Sequence, residues 1–262
     1  MQQEITVRKE SLEELHANFM NANPFPHVYI DDFLETGLAN SLSENFPPLS
    51  EMDILYHGLN ENKGEHSNFQ NLHEDFRRLQ HLLSSETFIG EVESISGISD
   101  FSVINDRYGC GLHQGGNGSF LDIHIDYNLH PFEKKQRRLN LIIFLNENWQ
   151  KDWGGYLEFW NAAGTECVTS IEPKFNRCVL FICNNISYHG YNRIKCPASV
   201  TRKSFYLYFF SHPEKKLFFH DTVFTTPPND NIYHKYRVKV KELLKNNVKR
   251  FLYYSGLNKF LK

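Results

Sequence analysis

Residues Phe120–Asn128, FLDIHIDYN, read as a β-strand with an unusual choice of side chains. Strand side chains alternate between two faces, so Ile123, Ile125 and Tyr127 share one face while Asp122, His124, Asp126 and Asn128 share the other. The run has company. From about Asp100 to Ser211 the sequence offers FSVIND, LNLIIFLN, GGYLEFW, CVLFIC and SFYLYFF, separated by GCGLHQGGNG, NENWQKDWGG and NAAGTE. Several short strands at this spacing, with Gly and Asn in the turns between them, argue for a β-sandwich or barrel.

Outside this block the texture is helical. HVYIDDF is an extended piece, followed by a helix over ETGLANSLSENF that two prolines close. HEDFRRLQHLLSSETFIGEVESI is a second helical stretch with Phe76, Leu79, Leu82 and Leu83 on one side. We expect an α+β chain with a mainly β core: one domain over residues 1–262, with a helical cover at 1–99, the β core at 100–212, and a C-terminal extension with a basic helix at 213–262.

Composition agrees. A chain of 262 residues that is 40% hydrophobic can bury a full core, and its 22 Phe and 13 Tyr suit packed strands better than a helical bundle. The longest apolar runs, LIIFL and VLFIC, are strand-sized, and the start MQQEITVRKESLEEL has no apolar run behind a basic one, so neither a membrane span nor a secretion signal is expected. Five scattered cysteines with no C-x-x-C pair imply a reducing, cytoplasmic setting. The net charge of −3 conceals an acidic first ~100 residues and a basic tail from His234 onwards. We read the tail, HKYRVKVKELLKNNVKRFL, as an amphipathic helix that is solvated or lies against the acidic part, and expect no nucleic-acid partner.

The chemistry starts from the polar row. His124 and Asp126 lie two apart on one strand face and offer a nitrogen and an oxygen to a common point, two-thirds of a facial triad. His189, in VLFICNNISYHGY, follows a buried-looking strand by a short Asn-rich turn and is the best third ligand. Such a set leaves three positions open on an octahedral ion, the arrangement of non-heme Fe(II). Thirteen residues on, Arg202 and Ser204 share a face of the last core strand, and a guanidinium beside a hydroxyl suits a small dicarboxylate such as 2-oxoglutarate.

His-x-Asp, then RRLNLIIFLN, then WGGYLEFW, then a strand leading to a distal His, then Arg-x-Ser: this order resembles the Fe(II)/2-oxoglutarate-dependent oxygenases of the prolyl 4-hydroxylase-like branch. NPFPHVYIDDFL looks like that branch's N-terminal cover. The resemblance implies a double-stranded β-helix (jelly roll, cupin-like) with covering helices, and a dioxygenase that hydroxylates an unactivated aliphatic C–H while 2-oxoglutarate becomes succinate and CO2. It implies Fe(II), 2-oxoglutarate and O2 as cofactor and co-substrates, with ascorbate as an accessory reductant. His124, Asp126 and His189 would hold the iron, and Arg202 and Ser204 the distal carboxylate of 2-oxoglutarate.

Two departures modify the pattern. Phe144 stands where relatives offer a tyrosine hydroxyl to the co-substrate, and Asn140, on the same strand face, is the substitute donor. Gln114 stands near another usual tyrosine and is a further co-substrate contact. Asn128, beyond the ligands on the mouth side, is a substrate contact. Asp122 is expected to support the ligands, while His113, His130, His212, His220 and His234 are structural or exposed. The substrate is a peptidyl side chain such as proline, or a free amino acid or other small metabolite, including sugar-containing ones. The alternative of another class is a non-catalytic jelly-roll binding module, which would show a damaged triad or no keto-acid anchor.

Overall fold

Along Arg202–Ser211 the side chains divide by parity: Phe205, Leu207 and Phe209 pack into the main hydrophobic core, whereas Arg202, Ser204, Tyr206 and Tyr208 line a cavity. Leu139, Leu141 and Ile143 of Gln136–Phe144 repeat the first set, Asn140 and Ile142 the second. A strand buried on both faces thus separates a dry side from a wet one.

The computed structural model describes residues 10–261; residues 1–9 and 262, the outer ends of the expected cover and extension, lie outside the described residues. In chain order the elements are α1 (Leu12–Asn21), β1 (His27–Ile30), α2 (Thr36–Glu44), β2 (Ile54–His57), β3 (Glu61–His66), α3 (Glu74–Leu83), α4 (Glu86–Ser96), β4 (Ser102–Val103), β5 (Cys110–Gly115), β6 (Phe120–Ile125), β7 (Gln136–Phe144), β8 (Leu157–Trp160), β9 (Cys167–Ile171), β10 (Arg177–Ile182), β11 (His189–Tyr191), β12 (Arg202–Ser211), β13 (Val223–Phe224) and α5 (Ile232–Tyr254). The strands pair in the order β1-β10-β7-β12-β5-β3-β6-β11-β8-β9. From β5 to β12 the chain passes between a larger layer (β5, β7, β10, β12) and a smaller one (β6, β8, β9, β11), which is the winding of a double-stranded β-helix. β3 pairs with both β5 and β6 and so ties the layers together at one edge.

The expected helical cover is present and packs on the dry face. Leu15 and Phe19 of α1, Leu38 and Leu42 of α2, Phe76, Leu79 and Leu83 of α3, and Phe88, Val92 and Ile95 of α4 share one cluster with Leu141, Phe205 and Leu207. Two differences from the sequence reading have local causes. The second helical stretch is two helices, because Ser85 leaves the helix and accepts the Phe88 N–H as N-cap of α4. The cover region also contains strands: Ile54–His57 pairs with Glu61–His66 in a hairpin whose polar residues carry no strand-like alternation of hydrophobics.

Candidate active site

His124 occupies the penultimate position of β6, and Asp126 follows the strand's last residue. His189 opens β11 and pairs directly opposite His124 in the antiparallel ladder. This register places the rings 4.2 Å apart between centroids. Each histidine directs its Nδ1 at a backbone carbonyl two residues earlier, His124 to Asp122 at 2.8 Å and His189 to Ser187 at 3.0 Å. With Nδ1–H donating there, both Nε2 lone pairs point inwards. His124 Nε2 lies 3.6 Å from Asp126 Oδ1, and His189 Nε2 3.6 Å from Asp126 Oδ2. One donor atom from each residue falls within 4.8 Å of the others, so these three could hold a metal ion.

The protonation states suit that use. Burial drives the His189 imidazole down to about 3, and the neighbouring His124 adds to the shift, so its lone pair is free at neutral pH. Burial would raise the Asp126 carboxyl, but the Arg137 guanidinium and the two histidines hold it well below the ordinary carboxylate range. Two neutral nitrogens and one carboxylate leave open positions on a six-coordinate ion, the donor set of non-heme Fe(II).

Asp126 is held chiefly by a residue that strand alternation does not place at the site. Arg137 Nη2 sits 3.2 Å from Asp126 Oδ2, and the guanidinium carbon lies 3.3 Å from the Tyr208 ring centroid and 4.5 Å from that of Tyr127. Simple alternation along β7 would send Arg137 to the dry face. A register shift at Phe209/Phe210 skips Arg138 and turns Arg137 inwards. Asn140 Nδ2 lies 3.5 Å from the same carboxylate oxygen, and the Cys183 thiol 3.7 Å from it.

Arg202 stands at the other end of the cavity. It is 5% exposed, donates Nε–H to the Gly155 carbonyl at 2.7 Å, and lies over the rings of Phe144 and Tyr191. Gly155 has φ +68° with Arg202 Cδ 3.3 Å from where its Cβ would be, which explains the GG of WGGYLEFW at this close approach. Burial lowers Arg202 to about 10, still charged at neutral pH, and no carboxylate among the described residues pairs with it. A buried cation left without an anion, with Ser204 on the same cavity wall, fits a bound carboxylate.

The cavity of about 500 Å³ contains His124, Asp126, His189, Asn140, Arg202 and Ser204 together. Two expectations fail. Gln114 pairs with Lys203 rather than with a cavity-facing residue, and its amide donates to Thr201 at 2.9 Å; the adjacent His113, opposite Ser204, lines the cavity instead. His113 is therefore not merely structural. It sits 3.6 Å from Glu65 and 3.3 Å from Lys63, and burial lowers it to about 4. Burial would raise Glu65, but His113 and Lys63 hold it down to about 2. Asn128 does not meet the cavity: its side chain donates to the Phe218 carbonyl at 2.8 Å and accepts the His220 N–H at 3.0 Å, tying down the chain after β12. Asp122 supports His124 through its carbonyl, while its carboxylate accepts from Asn60 at 3.2 Å.

The C-terminal helix adds a wall that strand patterns could not place. Lys241, Lys245 and Lys249, one turn apart on α5, line the cavity mouth. Lys245 and Lys249 pair with Asp221 at 3.6 and 3.0 Å.

Residues 110–210 match the family model of the 2OG-Fe(II) oxygenase superfamily. The matched stretch runs from the start of β5 into β12 and contains His124, Asp126, His189, Arg202 and Ser204. The oxygenase is a 2-oxoglutarate-dependent dioxygenase that uses Fe(II), 2-oxoglutarate and O2, and the donor set and the unpaired arginine described above fit those groups. Its fold is shared with a prolyl 4-hydroxylase of Pseudomonas putida (TM-score 0.55, 19% identity, 76% of this chain and 99% of that one). A prolyl hydroxylase of Trichoplax adhaerens, solved with a hypoxia inducible factor oxygen degradation domain peptide fragment, superposes with TM-score 0.56 at 19% identity, covering 76% of this chain and 89% of that one. HygX of Streptomyces hygroscopicus, solved with nickel, 2-oxoglutarate and hygromycin B, gives TM-score 0.51 at 11% identity over 78% of this chain and 88% of that one. No curated protein matches the oxygenase in sequence.

Proposed function

We propose that the oxygenase hydroxylates an unactivated aliphatic C–H bond in a prolyl 4-hydroxylase-like reaction, with His124, Asp126 and His189 holding Fe(II) and Arg202 and Ser204 holding the distal carboxylate of 2-oxoglutarate. The observation that carries this reading is the meeting, in one cavity, of a two-nitrogen, one-carboxylate donor set and a buried arginine without an acid partner. When bound, the iron and the keto acid supply oxygen activation, coupled to decarboxylation of 2-oxoglutarate to succinate and CO2. The protein's own part is positioning. Arg137 keeps Asp126 ionised, the carbonyls of Asp122 and Ser187 fix the imidazole tautomers, and Arg202 sets the direction in which the keto acid enters. Asn140, whose Nδ2 makes only a long 3.5 Å contact with Asp126 Oδ2, is the amide donor on the cavity wall where Phe144 has no hydroxyl. A retained carboxylate at Asp126 supports hydroxylation over halogenation. Cover, core and C-terminal helix act as one dioxygenase domain. All five cysteines are free, which supports a reducing, cytoplasmic setting.

The intact donor set leaves no support for a silent binding module. A free amino acid or other small metabolite is the second reading of the substrate, favoured by the three lysines that α5 adds to the lining of the cavity. A screen of proline-containing peptides and of free amino acids, scored by succinate release and by a mass gain of one oxygen in the product, tests both. Product formation with a peptide supports the first reading, and with a free metabolite the second. Succinate release without oxygen transfer to any of them would overturn hydroxylation.

A further inference from the structure

Helix α5 is inside out. An amphipathic helix on a folded domain ordinarily buries its apolar stripe. Here the buried face is Val238, Glu242, Asn246 and Tyr253, and its contacts are mostly polar. Glu242 accepts the Phe224 N–H at 3.1 Å, Asn246 accepts the Asp221 N–H at 2.9 Å, and Lys245 donates to the Thr222 carbonyl at 2.6 Å. The opposite face, spanning an arc of roughly 140° at 3.6 residues per turn, carries Tyr236, Leu243, Leu244, Val248, Phe251 and Tyr254, each between 54% and 70% exposed. Phe260, just beyond the helix, is 58% exposed. A continuous patch of this kind needs an occupant.

Charge selects among occupants. Arg237, Lys239 and Arg250 are exposed along the two edges of the stripe, and no carboxylate among the described residues pairs with them. The only acid of the helix, Glu242, is buried. Lys239 and Arg250 lie on the same edge, and two copies pairing antiparallel through this stripe would set Lys239 of one against Arg250 of the other, a like-charge contact that opposes association. An apolar, aromatic-rich stripe between basic edges instead matches an anionic lipid surface, where the rings enter the headgroup boundary and the bases meet phosphate. The helix is not long and apolar enough to cross a membrane, so it would lie in the plane of the surface.

We propose that α5 docks the oxygenase on anionic membrane surfaces, with its polar inner face still closing the mouth of the cavity. The test is co-sedimentation of the full chain with phosphatidylcholine vesicles and with vesicles containing phosphatidylglycerol, at low and high salt, alongside sizing of the free protein. Binding to the anionic vesicles, weakened by salt and lowered roughly tenfold by Leu244→Glu with Phe251→Glu, is the expected result. Arg237→Glu with Lys239→Glu, which leaves the apolar stripe intact, should weaken binding to anionic vesicles while the protein stays folded by circular dichroism. No binding to anionic vesicles would overturn the proposal. A concentration-dependent dimer dissociated by the Leu244 and Phe251 substitutions, without vesicle binding, would assign the face to a second copy and overturn it equally.

Discussion

Two histidines from strands 65 residues apart in sequence present the same nitrogen to one point because each has committed its other nitrogen to its own backbone. The geometry therefore depends on side chains more than on stability, and we expect His124→Ala and Asp126→Ala to abolish succinate formation while leaving circular dichroism unchanged; residual turnover above one-tenth would remove the residue from the ligand set. Arg202→Ala should raise the KM for 2-oxoglutarate roughly 30- to 150-fold, since a charge-assisted pair is worth about 2–3 kcal/mol, and Arg202→Lys should recover part of that. An unchanged KM in the alanine variant would place the co-substrate elsewhere. These residues were legible because chemistry and spacing coincide in them. Gln114 and Asn128 were misread for a physical reason: a polar residue on a strand or just past it does not announce its partner. Gln114 is assigned its face by pairing with β12, and Asn128 its role by a chain segment 90 residues away.

At the scale of elements, the strands of the core could be read from alternation, and the parity of β7 and β12 follows from Leu and Phe against Asn, Ser and Arg. What alternation could not show was the register shift that brings Arg137 inwards, because a bulge adds one residue without changing composition. Nor could it show the β2–β3 hairpin, whose mixed polar sequence gains its strand form from pairing with β5 and β6. The basic tail was legible as a helix but not as a wall of the site. Its attachment combines the stack of Tyr253 on Phe219 with polar contacts to the segment before and within β13. Asn246→Ala, which removes the acceptor of the Asp221 N–H, should cost about 1–3 kcal/mol locally and speed hydrogen exchange at residues 221–224 by tenfold or more. Unchanged protection there would mean that the helix is held by other contacts.

For the whole molecule, the distribution of buried groups fixes how stability depends on pH. Burial lowers the imidazoles of His113, to about 4, and of His27. An unfolded chain takes a proton on each near pH 6.5, whereas the folded chain does not, so stability is full above 6.5 and is lost as pH falls towards 4. The slope is roughly 1.4 kcal/mol per pH unit for each such proton. Denaturant unfolding of the metal-free protein should show this decline, and His113→Gln should make it shallower; a parallel curve in the variant would mean that His113 titrates normally. The dry face, filled by helices, and the wet face, holding ligands and anchor, are two sides of the same strands. On the proposed function, this wet face binds Fe(II) and 2-oxoglutarate together. The most direct measurement is the visible absorption of the oxygen-free protein on addition of Fe(II) and 2-oxoglutarate. A charge-transfer band that needs both additions, disappears in His189→Ala, and requires far more 2-oxoglutarate in Arg202→Ala is the expected result. No band in the wild-type protein, or an undiminished band in His189→Ala, would contradict the assignment of the site.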